Sequence, residues 1–90
     1  MNENTQVDKF AQRLKMRKRI SETLSLNSET AICDLIAPIL KHGKTMRESM
    51  ISERLAKEIN LLLDNMTSEA DLIRKAKEKQ KEILKEEGIL

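Results

Sequence analysis

Apolar residues recur through this chain at intervals of three and four, the spacing that gathers side chains on one face of a helix. The pattern predicts four helices, over about residues 5–24, 29–42, 46–66 and 68–87. The third has the broadest apolar face. Ile51, Leu55, Ile59, Leu62 and Met66 form one stripe, widened by Met50, Ala56 and Leu63. A face that wide belongs to the central, most buried helix of a bundle. The second helix offers Ile32, Leu35, Ile36, Ile39 and Leu40. Pro38 lies inside that run and cannot donate to the carbonyl of Asp34, so a kink or a restart is expected there. The fourth stripe is thin: Leu72, Ile73, Ala76, Ile83 and Leu84, with Gln80 in its middle. Outside it, Asp71 and Lys75, Lys75 and Glu78, and Glu78 and Lys81 stand at ion-pair spacing.

The first helix contains a conflict. Val7, Phe10, Ala11 and Leu14 make an apolar stripe whose continuation meets Arg17, Lys18 and Ser21. A second series, Met16, Ile20 and Leu24, lies roughly 140° away at 100° per residue. One uniform helix on one core cannot bury both. Either the helix breaks near Arg17–Arg19, or its two faces meet different bodies, such as the domain and a second subunit.

Local chemistry sets the boundaries. Ser28 is the expected N-cap of the second helix, with Glu29 in the first turn, where the helix dipole favours an acid. Lys41, His42 and Gly43 read as its stop. Thr45 and Glu48 have the spacing of a capping box for the third helix. The turn at Gly43 and Lys44 is so short that helices two and three should form an antiparallel hairpin or a tight corner. Thr67 or Ser68 caps the fourth helix, and Gly88 ends it.

Composition narrows the class. With two Gly, one Pro, one Phe and no Tyr or Trp, the chain lacks the residues of a sheet. A length of 90 residues allows one small domain, thinly stable without a partner or dimer mate and too small to enclose a catalytic pocket readily. Charged residues make up 36% of the chain, and the net charge is only +2, which argues against a uniformly basic nucleic-acid coat. The excess is local: residues 1–24 carry +3, residues 25–66 carry −1 and residues 67–90 are neutral. The lone Cys33 excludes an intramolecular disulfide. The longest apolar run is three residues, at Leu61, Leu62 and Leu63, and residues 1–10 lack a basic-then-apolar leader, so a cytoplasmic protein is expected.

Most candidate chemistry dissolves on inspection. Gly43, Lys44 and Thr45 resemble the end of a phosphate loop, but the earlier glycine that loop requires is replaced by Pro38. His42 and Cys33 are the only soft metal ligands, and two such residues do not build a structural zinc site. His42 reads instead as a cation at the negative end of helix two, and Cys33 as a core or boundary residue. A helix-turn-helix register on Gly43 would need a small residue at Ile39 and apolar ones at Lys44, Ser49 and Ser52. A register on Asn60 puts the next helix too far away. The strongest cluster is Arg13, Lys15, Arg17, Lys18 and Arg19, five basic residues in seven. It suits backbone phosphates, an acidic protein partner or a solvated helix surface. Aromatic residues for stacking single-stranded bases are absent from it.

The expected protein is therefore an all-α bundle of three or four helices with a central helix hairpin, forming a homodimer. Its expected role is that of a non-enzymatic cytoplasmic regulator or adaptor whose helices bind an acidic or apolar groove on another protein. The alternative is a regulator that binds duplex DNA through the basic first helix. No cofactor, metal, small-molecule substrate or membrane is expected.

Overall fold

The computed structural model describes residues 11–40 and 46–89. They form four helices and no strand: α1 over Ala11–Thr23, α2 over Leu26–Ile36, α3 over Met46–Asp64 and α4 over Glu69–Glu86. A 3-10 turn, Ala37–Leu40, follows α2.

The first helix is continuous through Arg17–Arg19. Of its two apolar series, the core takes the second: Met16 and Ile20 are buried and Leu24 packs against them. Leu14 is 57% exposed, on the side where Arg17 and Lys18 must stay hydrated. Val7 and Phe10, the rest of that stripe, lie outside the described residues.

Helix α2 begins earlier than its expected start at residue 29. Its N-cap is Ser25, with extended backbone (φ −64°, ψ 161°) and a hydroxyl that accepts from the Ser28 amide. Ser28 is no cap but a buried residue of the first turn. Glu29 keeps its place in that turn. The helix also ends earlier than residue 42. The Ala37 amide makes the last bond, to the Cys33 carbonyl, and Pro38 has no N–H with which to continue. The expected stop at Lys41, His42 and Gly43 and the cap at Thr45 lie outside the described residues.

The ends of α3 and α4 follow known end chemistry. Helix α3 tightens as it stops, with Asn65 and Met66 donating to the carbonyls of Leu62 and Leu63, three residues back. Ser68 caps α4, its hydroxyl accepting from the Asp71 amide at 3.1 Å. At the other end Gly88 takes φ 78°, donating to Lys85, while Ile89 donates to Leu84. This is a Schellman motif, which needs a residue without a side chain at the left-handed position.

Helix α3 is the centre. It buries Ile51, Ser52, Leu55, Ala56, Ile59, Asn60 and Leu63, more residues than any other described helix. Its long contacts are with α1 and α4, whereas α2 packs chiefly on α4. Helix α2 itself meets α3 only lightly, and the Ala37–Leu40 turn, which lies within the expected second helix, supplies most of the contact between the expected helices two and three. The polar contacts give the directions. Gln12 meets Glu53 and Asn60 while Arg19 meets Asp64, so α1 and α3 run the same way. Ser28 meets Glu69 and Leu35 meets Gln80, so α2 and α4 also agree. Arg54 of α3 reaches Glu86 of α4, which sets that pair antiparallel. The described residues span 37 × 34 × 20 Å, a slab about two helices thick.

Leu55→Ala and Ile36→Ala each leave a cavity and are expected to destabilise by about 2–5 kcal/mol. Leu61→Ala, on the exposed side of α3, should stay within about 0.5 kcal/mol. Urea unfolding of the three variants measures this, and equal losses at Leu61 and Leu55 would mean that the buried face is misassigned.

Candidate partner-binding surface on the first helix

The five cations between residues 13 and 19 divide into two that reach α3 and three that do not. Arg13 turns toward α3, where its guanidinium lies 3.6 Å from Glu53. That carboxylate also accepts from the amides of Gln12 at 2.6 Å and Arg13 at 3.2 Å. An anion at the start of a helix is favoured by the dipole, so Glu53 acts as a cap supplied by another element. Arg19 also turns inward, donating to the Asn60 carbonyl at 3.0 Å and to Asp64 at 2.6 Å. Lys15, Arg17 and Lys18 point away from α3, exposed and without an ion pair among the described residues. The structure thus joins two of the expected site residues to the scaffold and leaves three on the surface.

Arg17 and Lys18 form one wall of an open groove between α1 and α2. Ile20 lies at its base, and Glu29, Thr30 and Cys33 come from α2. Cys33, expected at the core or its boundary, is exposed here. Partial burial raises the thiol's pKa, Glu29 and Asp34 push the same way, and Arg17 opposes them. A thiol held protonated at neutral pH is a poor nucleophile and a poor metal ligand. Among the described residues no group of three His, Cys, Asp or Glu is placed to hold a metal ion. His42, Gly43, Lys44 and Thr45 lie outside the described residues.

The groove exists because α1 and α2 are anchored to different helices. Glu69, the first residue of α4, accepts from the Ser28 hydroxyl at 2.5 Å, the Ser25 hydroxyl at 2.9 Å and the Ser25 amide at 3.2 Å. Eleven residues along α4, Gln80 donates to the Leu35 carbonyl at 2.6 Å. That carbonyl sits where α2 has stopped and lacks its helical partner. Gln80, the polar break in the fourth stripe, thus closes the end of a neighbouring helix. Sequence reading missed Glu53, Glu69 and Gln80 as positioning residues, because each has a partner some 40 positions away and none carries a local signal.

Elsewhere the charges are neutralised only in part, since Lys57, Lys77, Lys81 and Lys85 are exposed and have no ion pair among the described residues. Asp71 pairs with Arg74 at 2.5 Å and with Lys75 at 3.1 Å. Glu78 takes Arg74 at 3.3 Å rather than Lys75 or Lys81. Arg54 binds Glu86 and Glu87, and Arg47 donates to the Glu87 carbonyl. No helix of the described residues is long and apolar enough to cross a membrane. No family model matches the chain, nor does any curated protein or solved structure.

The hydroxyl of Ser28, then the hydroxyl and amide of Ser25, hold the Glu69 carboxyl below its usual range. A depressed folded-state pKa adds stability that is complete above the ordinary carboxylate range, about pH 4, and is lost as pH falls through the folded value. Asp71, lowered by Lys75 and Arg74, contributes in the same window. Glu69→Gln should therefore lower the unfolding midpoint at pH 7 and flatten, without abolishing, its decline in acid. A thermal-melt series from neutral to acid pH would show this. An unchanged acid profile would remove Glu69 from its role in holding α2.

Proposed function

We propose that the protein is a small non-enzymatic regulator or adaptor of the cytoplasm that binds a macromolecular partner through the outer face of α1. The observation that carries this reading is the exposed trio Lys15, Arg17 and Lys18, beside exposed Leu14, on a helix whose other cations already have partners. Hydrated charges placed where an apolar stripe would continue give a structural helix no benefit. They do suit a surface that meets an anion.

The charge count favours an acidic protein over duplex DNA. Nonspecific DNA binding draws its strength from many phosphate contacts, and six to ten are typical of steeply salt-dependent binders. With Arg13 and Arg19 engaged by α3, three cations of the cluster are available for such contacts. The DNA reading keeps one support, the +3 charge of residues 1–24.

Homodimerisation is part of the proposal. Met46, Met50 and Leu61 are exposed and recur on one side of α3, an apolar patch that a second copy would cover. Sedimentation of a dilute sample should give twice the 10.4 kDa chain mass. A cooperatively folded monomer at that dilution would remove the dimer from the proposal.

Arg17→Glu with Lys18→Glu should leave the thermal midpoint nearly unchanged and abolish partner capture from nuclease-treated native lysate. Arg19→Glu should lower the midpoint, since it places a carboxylate against Asp64 and the Asn60 carbonyl. Capture that disappears with nuclease would favour the DNA reading. A double variant that unfolds, or that captures every partner normally, would refute the surface.

A further inference from the structure

We infer that the groove between α1 and α2 seats an amphipathic helix of another protein, with that helix's acidic edge lying against α1; the inference rests on the proposed partner-binding role. The two walls of the groove differ in chemistry. The α1 wall presents Arg17 and Lys18, both exposed and unpaired among the described residues. On α2, Leu26, Thr30, Cys33 and Ala37 stand at i, i+4, i+7 and i+11, so they share one side of the helix, and all four are exposed. The row itself is uncharged, with Glu29 beside it; Thr30 and Cys33 line the groove, and Leu26, 75% exposed, and Ala37 extend the row at either end.

Such a surface is complementary to a helix with an apolar face and one acidic edge. The apolar face meets the Leu26 to Ala37 row, and the acidic edge meets Arg17 and Lys18. Glu29, half-buried among the groove-lining residues, sets the orientation, because a partner carboxylate on that side would meet a like charge. The row spans about 17 Å at 1.5 Å per residue, so it fits roughly three turns of a partner helix. Duplex DNA fits poorly, since its phosphates would lie against an α2 wall that carries Glu29 and would lose water without gaining a cation. A second copy is also a poor occupant. The acidic residues of its α4, Asp71, Glu78, Glu82 and Glu86, are already paired with Arg74, Lys75, Lys79 and Arg54.

The test uses the full chain and three fluorescent probes: a stapled Leu/Glu amphipathic helix of about three turns, its Leu/Lys copy, and a short DNA duplex. The acidic helix should bind, with the Lys copy and the duplex at least about tenfold weaker. Arg17→Glu with Lys18→Glu should weaken the acidic helix at least about tenfold. Thr30→Arg adds positive charge but fills the groove, so it should weaken binding too. Tighter binding by Thr30→Arg would overturn the groove while leaving the α1 surface standing. Binding untouched by the α1 double variant would overturn both. Because Cys33 is the only cysteine, alkylation at mildly alkaline pH gives a direct footprint, and bound acidic helix should slow it. Unchanged alkylation at saturating probe, tighter binding of the duplex, or self-association that Thr30→Arg abolishes would each refute the inference. Leu26→Asp, a first-turn acid compatible with the helix dipole, should weaken the probe as well and serves if Thr30→Arg fails to fold.

Discussion

The contact between Glu69 and the start of α2 decides how the rest of the molecule is arranged. A helix start leaves backbone amides without intrahelical acceptors, and a carboxylate at the positive end of the dipole satisfies them well. The Ser25 hydroxyl accepts from the Ser28 amide, and Glu69, from the first turn of α4, accepts from the Ser25 amide and from both serine hydroxyls. With Gln80 on the carbonyl of Leu35, α2 is tied to α4 at both ends. Helix α1 is tied to α3 in the same manner, by Glu53 at its start and by Arg19 further along. Helices α1 and α2 thus belong to different pairs. The groove between them follows from that division.

The basic segment illustrates how one cluster can serve two purposes. On a helix, residues 13 and 19 flank the buried Met16 and Ile20 stripe from opposite sides, and both reach α3; Arg17 and Lys18 make no such contact. Arg13 pairs with the partly shielded Glu53 and Arg19 with the exposed Asp64, and each links α1 to α3. Arg17 and Lys18 gain no such partner, so their charge is available to something outside the chain. Surface ion pairs are individually weak, and those along α4 mainly neutralise its surface.

Polar groups inside this small core are placed where they close a backbone gap or hold two helices together. Buried Asn60 donates to the carbonyl and side-chain oxygen of Gln12, both at 3.0 Å, and thereby fixes α1 against α3. Buried Ser52 donates to the Ser49 carbonyl at 2.9 Å, one turn back on its own helix. Slippage of α1 against α3 would strand the Asn60 amide away from water, at a cost of about 1–3 kcal/mol. In a slab two helices thick, such bonds supply register that apolar contact alone would leave loose.

Much of the architecture was legible in local pattern. The helices show in the three-and-four spacing, the buried face of α3 in Leu55 and Ile59, and the ends of α4 in Ser68 and Gly88, because periodicity and capping depend on residues within one or two turns. The exposure of Arg17 and Lys18 was legible too, since two charges at the continuation of an apolar stripe cannot enter a core. Tertiary structure decided the remainder. Ser25 and Ser28 are both competent caps, and the choice of Ser25 goes with Glu69 receiving both hydroxyls from another helix. The two faces of α1 were equally apolar on paper until Asp64 and Glu53 drew one inward. Gln80 looked like a flaw in its stripe until Pro38 had stopped α2 and left Leu35 in need of a donor. Each of these outcomes rests on a hydrogen bond between residues more than 40 positions apart, and sequence spacing carries no record of which distant groups folding will bring within 3 Å.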